Sequence, residues 1–128
     1  MPIERGFFDA RTRAFMALGF PVRVATLQID TGFNGDVLVG DLTAQGLGLV
    51  TTPAFIMVHP AGNSQPFRVQ ISQINVTWLG QARLINVFVY PNEQPRPRGA
   101  ADGLLGTGLI HPDRLVMDYI NDVVEITN

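Results

Sequence analysis

No cysteine occurs among the 128 residues, which excludes both a disulfide framework and a thiolate nucleophile or metal ligand. Lysine is absent too: all nine basic residues are arginine, and against eleven acidic ones they leave a net charge of −2. That balance holds no basic excess of the kind that nucleic acid attracts. Charged residues make up only 16% of the chain, below the usual quarter. No apolar run approaches the ~18 residues needed to span a bilayer. The opening stretch MPIERGFFDARTR carries charge where a secretion signal has a long apolar segment. The expectation is a soluble, cytoplasmic protein without a nucleic-acid or membrane partner, in which the sequon Asn75-Val76-Thr77 is incidental.

What the chain does hold is 46% hydrophobic residues, thirteen glycines and nine prolines. Its length suits one domain, residues 1–128, large enough to bury a core without covalent staples. Short runs rich in Val, Ile, Thr and Phe, bounded by Gly, Pro or Asn, read as strands. Arg13–Leu18 and Val22–Ile29 form a hairpin turning at Gly19-Phe20-Pro21. Val37–Val39 precedes a short helix from Asp41 to Leu47, with Asp41 placed as its cap. Ala54–Val58 and Phe67–Val76 flank HPAGNSQ, which has the composition of a hairpin tip. Trp78–Gln81 turns into Arg83–Tyr90. Residues 91–100, PNEQPRPRGA, contain three prolines and are expected to be a surface connector. A second short helix is expected near Pro112–Leu115, between GLLGTGLI and two closing strands, Leu115–Tyr119 and Val123–Ile126. The class is all-β, a barrel or sandwich-like arrangement.

One stretch carries chemistry. In LQIDTGFNGDVLV, Asp30 follows the alternating apolar residues Leu27 and Ile29 and stands directly before Thr31-Gly32. Gly32 lets the backbone turn tightly beside the carboxylate, and the Thr31 hydroxyl can hold the loop by hydrogen bonding. An Asp accepting local N–H bonds in a plain turn is the competing reading. Other signals are weaker. GLLGTG follows a proline-rich loop and lacks the βαβ unit of a phosphate-binding loop. DTGFNGD lacks the alternating ligands and terminal Glu of a calcium loop. His59 and His111 have no companions at zinc spacing, so neither a metal nor a cofactor is expected.

The sequence resembles the retropepsin-like (retroviral-type) aspartic proteases, particularly their small prokaryotic-type members. Ile29-Asp30-Thr31-Gly32 matches the catalytic loop. Phe33-Asn34-Gly35 followed by Val37-Leu38-Val39 is similar to its continuation. The hairpin tip near His59–Ser64 falls where the family has its flap. Ala101-Asp102-Gly103-Leu104-Leu105-Gly106 ends in the apolar pair and glycine that lie beneath the catalytic loop.

The resemblance implies a closed acid-protease barrel with one or two short helices, completed as a two-fold homodimer. It implies an aspartic endopeptidase acting on an extended peptide or unfolded protein segment. Such proteolysis needs two carboxylates about 3 Å apart sharing one proton, because both cannot ionise together. This chain has a single Asp-Thr-Gly, so the second carboxylate would be Asp30 of another copy. Asp30, Thr31 and Gly32 are then the catalytic residues. Pro60, Ala61, Gly62 and Asn63 would meet substrate from the flap. Phe33, Leu104, Leu105 and Gly106, with Ile56, are candidates beside the substrate. The chief alternative is a non-proteolytic module of the same fold, kept for dimerisation or peptide binding.

Overall fold

The computed structural model of the protein describes residues 2–58 and 65–128. Among these residues ten strands and two short helices follow one another: β1 (Ile3–Phe8), β2 (Ala14–Gly19), β3 (Val24–Ile29), β4 (Val37–Gly40), α1 (Asp41–Gly46), β5 (Phe55–Val58), β6 (Phe67–Trp78), β7 (Gln81–Tyr90), β8 (Gly103–Leu105), α2 (Thr107–Ile110), β9 (Arg114–Asp118) and β10 (Val123–Thr127). Among the described residues no helix is long and apolar enough to cross a membrane.

All-β character is as expected from the sequence, but the barrel is not closed. The strands pair in the order β5-β6-β7-β4-β8-β3-β2-β1-β10-β9, with β5 and β9 as its two ends. The reason lies in β1. Its first half pairs with β10 (Ile3↔Thr127, Arg5↔Glu125), and its second half pairs with β2 (Gly6↔Met16, Phe8↔Ala14). The pairing thus turns a corner onto the β10–β9 ribbon instead of returning to β5. Gly6 makes the corner possible, since a Cβ there would sit 2.1 Å from the Phe15 carbonyl oxygen.

Alternation along the strands sends Met16, Leu18, Leu27, Ile29, Val37, Val39, Val87 and Leu105 into one core, joined by Trp78 and Ile126. Burial of such side chains is the main favourable contribution to folding, roughly 1.5–3 kcal/mol each. The long β6–β7 hairpin turns through Leu79 and Gly80 at φ 51° and 76°. Paired positive φ values are those of a two-residue turn that matches strand twist.

Two local expectations are corrected. Gly40, not Asp41, stands at the N-cap of α1, and no side chain caps that helix. Asp41 instead accepts the N–H groups of Leu42, Asn92 and Glu93, tying the helix to the proline-rich segment. The second helix forms earlier than expected, over Thr107–Ile110. It stops at His111, which adopts extended φ/ψ of −70° and 137°. A following proline disfavours helical geometry at the preceding residue, so Pro112 ends this helix rather than opening one.

Three central strands set up the site. β8 lies between β3, to which it is parallel (Ile29↔Leu105), and β4, to which it is antiparallel (Val37↔Leu105). The loop from β3 to β4 therefore has to pass over the C-terminal end of β8. That loop is residues 30–36.

Candidate active site

Asp30 is the first residue beyond β3, half-buried at the point where the chain leaves the sheet. Its backbone is fixed before its side chain is considered: the Asp30 N–H donates to the Leu105 carbonyl at 2.9 Å, which extends the β3–β8 ladder by one bond. The chain then turns at once, with the Phe33 N–H donating to the Asp30 carbonyl at 3.1 Å. The Gly32 N–H donates to Asp30 Oδ1 at 2.9 Å, holding the carboxylate over its own loop. Thr31 is exposed beside it.

The rest of the loop is fastened to the segment after β8. Gly106 N–H donates to the Asp36 carbonyl at 2.9 Å, Thr107 N–H to the Phe33 carbonyl at 2.8 Å, and Gly108 N–H to the Gly35 carbonyl at 3.1 Å. Asp36 Oδ2 accepts the Asn86 N–H of β7 at 2.9 Å, and the Thr107 hydroxyl donates to the Phe33 carbonyl at 3.2 Å. This proximity requires glycine: a Cβ at Gly106 would stand 2.3 Å from the Gly35 carbonyl oxygen and 2.5 Å from that of Phe33. From β7, Arg83 donates to the carbonyls of Leu109 and Gly108 at 3.0 and 3.1 Å, satisfying the end of α2.

A groove of about 520 Å³ opens beside Asp30, lined by Gly32, Phe33, Asn34, Gly35, Leu38, Val58, Phe67, Phe88 and Leu104. Phe33 and Phe88 meet edge to face, with ring centroids 5.9 Å apart and planes at 77°. A carboxylate at the edge of a mostly apolar groove suits a ligand that presents apolar side chains around one polar reacting group.

The structure brings Asp30, Gly32, Phe33 and Leu104 together on this groove, with Thr31 and Gly106 in the loop assembly around it. Leu105 is 0% exposed and packs in the core beneath the loop. Ile56 stands exposed on β5 and is not among the groove residues. Pro60, Ala61, Gly62 and Asn63 lie outside the described residues, as does the whole stretch His59–Ser64 where the sequence predicts a hairpin tip. The strands on either side of that stretch, β5 and β6, pair antiparallel, from Phe55↔Gln70 to Val58↔Phe67.

Sequence reasoning missed Leu38, Phe88 and Phe67. Leu38 and Phe88 each stand between two core valines, Val37 and Val39 or Val87 and Val89. Strand alternation turns such a middle residue to the opposite face, and that was the available signal.

No protein-family model matches the sequence, and no curated protein matches it. The fold does have a match. The crystal structure of a retropepsin-like aspartic protease from Rickettsia conorii is similar with a TM-score of 0.61, over 97% of this chain and 89% of that one, at 15% sequence identity. The chain thus has the fold of the retropepsin-like aspartic proteases.

Proposed function

We propose that the protein is an aspartic endopeptidase, residues 1–128 forming one retropepsin-like domain that works as a two-fold homodimer. The observation that supports this reading best is the placement of Asp30. A carboxylate held by a loop that is hydrogen-bonded along its length to residues 105–108 stands at the rim of an apolar groove. Preorganisation of that kind serves chemistry, since a reacting group held in place needs no reorganisation at the moment of reaction.

In the dimer the Asp30 carboxylates of the two copies face each other across the axis and share a proton. The ionised one takes a proton from a water held between them. The water attacks the scissile carbonyl, while the protonated carboxyl donates to the carbonyl oxygen. The resulting gem-diol collapses when a proton passes to the leaving amine, and no covalent enzyme intermediate forms. Exposed Thr31 sits next to Asp30, where its hydroxyl can bond across the axis. The substrate lies extended, with main-chain hydrogen bonds setting its register and alternate side chains entering pockets. Leu38, Phe67, Phe88 and Leu104 supply the apolar wall.

The test is cleavage of an unbiased peptide library by the purified protein and by Asp30→Asn. The expected result is cutting by the wild type at discrete sites and none by the variant, with the fold unchanged. Peptide binding by a stable dimer with no cleavage from acidic to neutral pH would assign the fold to a binding module instead.

A further inference from the structure

The residue directly before β8 takes no part in the groove, yet it anchors the strand that supports the catalytic loop. Asp102 and Thr26 of β3 exchange bonds: the Asp102 N–H donates to the Thr26 carbonyl at 2.8 Å, and the Thr26 N–H donates to Asp102 Oδ2 at 2.8 Å. The Arg23 guanidinium grips both carboxylate oxygens, at 3.0 Å to Oδ1 and 3.1 Å to Oδ2. Arg96 reaches Oδ1 from the other side at 3.2 Å, donates to the Ala101 carbonyl, and pairs with Glu93 through its Nε at 3.0 Å. Glu93 in turn accepts the Thr43 N–H at 2.9 Å and the Thr43 hydroxyl at 2.7 Å.

Glu93, Arg96, Asp102 and Arg23 thus form a chain of alternating charge. It runs from a carboxylate with 4% of its side chain exposed out to an arginine with 43% exposed. Two-pronged charge-assisted pairs are the strong and directional ones. They strap residues 91–102 to α1 and to the start of β3.

β8 itself is only three residues long. At one end it is held by Asp102, and at the other, about 10 Å away, its Leu105 carbonyl receives the Asp30 N–H. Such a short strand has few bonds of its own to fix its register. We infer that Asp102, gripped by Arg23 and Arg96, is a positioning residue that sets where β8 ends and thereby where the Asp30 carboxylate stands. The inference rests on the reading of Asp30 as the catalytic acid for its functional consequence, but the mechanical coupling can be measured without it.

The experiment uses the full chain with Asp102→Ala, and Asp102→Asn as the milder variant that keeps an acceptor for Thr26. Amide hydrogen exchange is followed at Asp30 and Gly106, with the protected amides of β6 as the internal reference. The expected result is exchange about tenfold faster at Asp30 and Gly106 in Asp102→Ala, a smaller gain in Asp102→Asn, and unchanged rates in β6. Unchanged exchange at Asp30, or an equal rise in β6 that reports general loosening, overturns the coupling whether or not the protein cuts peptides. On a cleaved peptide, kcat falls about tenfold with KM nearly constant and partly recovers in Asp102→Asn. A loss confined to KM would overturn the positioning role.

Discussion

Gly106 lies so close to Gly35 that a single added methyl group would stand 2.3 Å from the Gly35 carbonyl oxygen. A Phe33 ring carbon is also in the way at 2.5 Å, but the Gly35 oxygen and the Phe33 carbonyl oxygen, at 2.5 Å, are backbone of the loop that carries Asp30. Gly106→Ala therefore cannot be absorbed by a rotamer change. Overpacking of this kind costs about 1–3 kcal/mol and sometimes more. Urea unfolding should show a loss of at least that size, with peptide cleavage falling in the residual folded protein. A variant as stable and as active as the wild type would mean that the loop and the segment after β8 are farther apart than described.

Leu104 and Leu105 are neighbours in sequence with opposite positions. Leu105 is fully buried in the core, whereas Leu104 lines the groove. Leu105→Ala should cost about 2–5 kcal/mol, since it removes buried methyl groups and leaves a cavity. Leu104→Ala should cost less than about 2 kcal/mol and act chiefly on peptide selectivity and KM. Unfolding curves and cleavage kinetics of the two variants separate these effects. Equal stability losses would contradict the opposite facing of the two side chains.

The ion pairs of Asp102 predict a pH dependence. Burial opposes its charge, but the hydrogen bonds from Arg23, Thr26 and Arg96 outweigh that and hold its carboxyl below the ordinary 3.8. The unfolded state then binds the proton more readily than the folded state. The stabilisation is complete above the ordinary carboxylate value and is lost as pH falls through the folded one. The stability gap between wild type and Asp102→Asn should be constant near neutral pH and narrow in strong acid, as measured by urea midpoints. A gap that stays the same down to about pH 2–3 would show that the charge of Asp102 contributes nothing.

The Asp30 loop was legible because an aspartate between an apolar strand and Thr-Gly is a local pattern. The β2–β3 hairpin, β6 and β7 were legible for the same reason: short apolar runs stand between turn residues. β1 was not, since its charged residues Glu4 and Arg5 mask a strand whose residues are only partly covered on alternate sides. The open order of the sheet was hidden too, because it depends on Gly6 letting β1 divide its length between two partners. The strap was read as a plain connector. Its bonds join Arg23 to Asp102 across 79 positions and Thr43 to Glu93 across 50, and no local pattern reports such pairs. Asp41 looked like a cap from its place before a helix, but the nearby N–H groups of Asn92 and Glu93 claimed its oxygens.

The central claim is that each active site needs Asp30 from two chains. Wild type and Asp30→Asn should be unfolded together, refolded at varied ratios, and assayed on a cleaved peptide at constant total protein. If both carboxylates are required, activity follows the square of the wild-type fraction, leaving about a quarter at equal mixing. A linear fall, with about half remaining, would show that one chain suffices and would contradict the account.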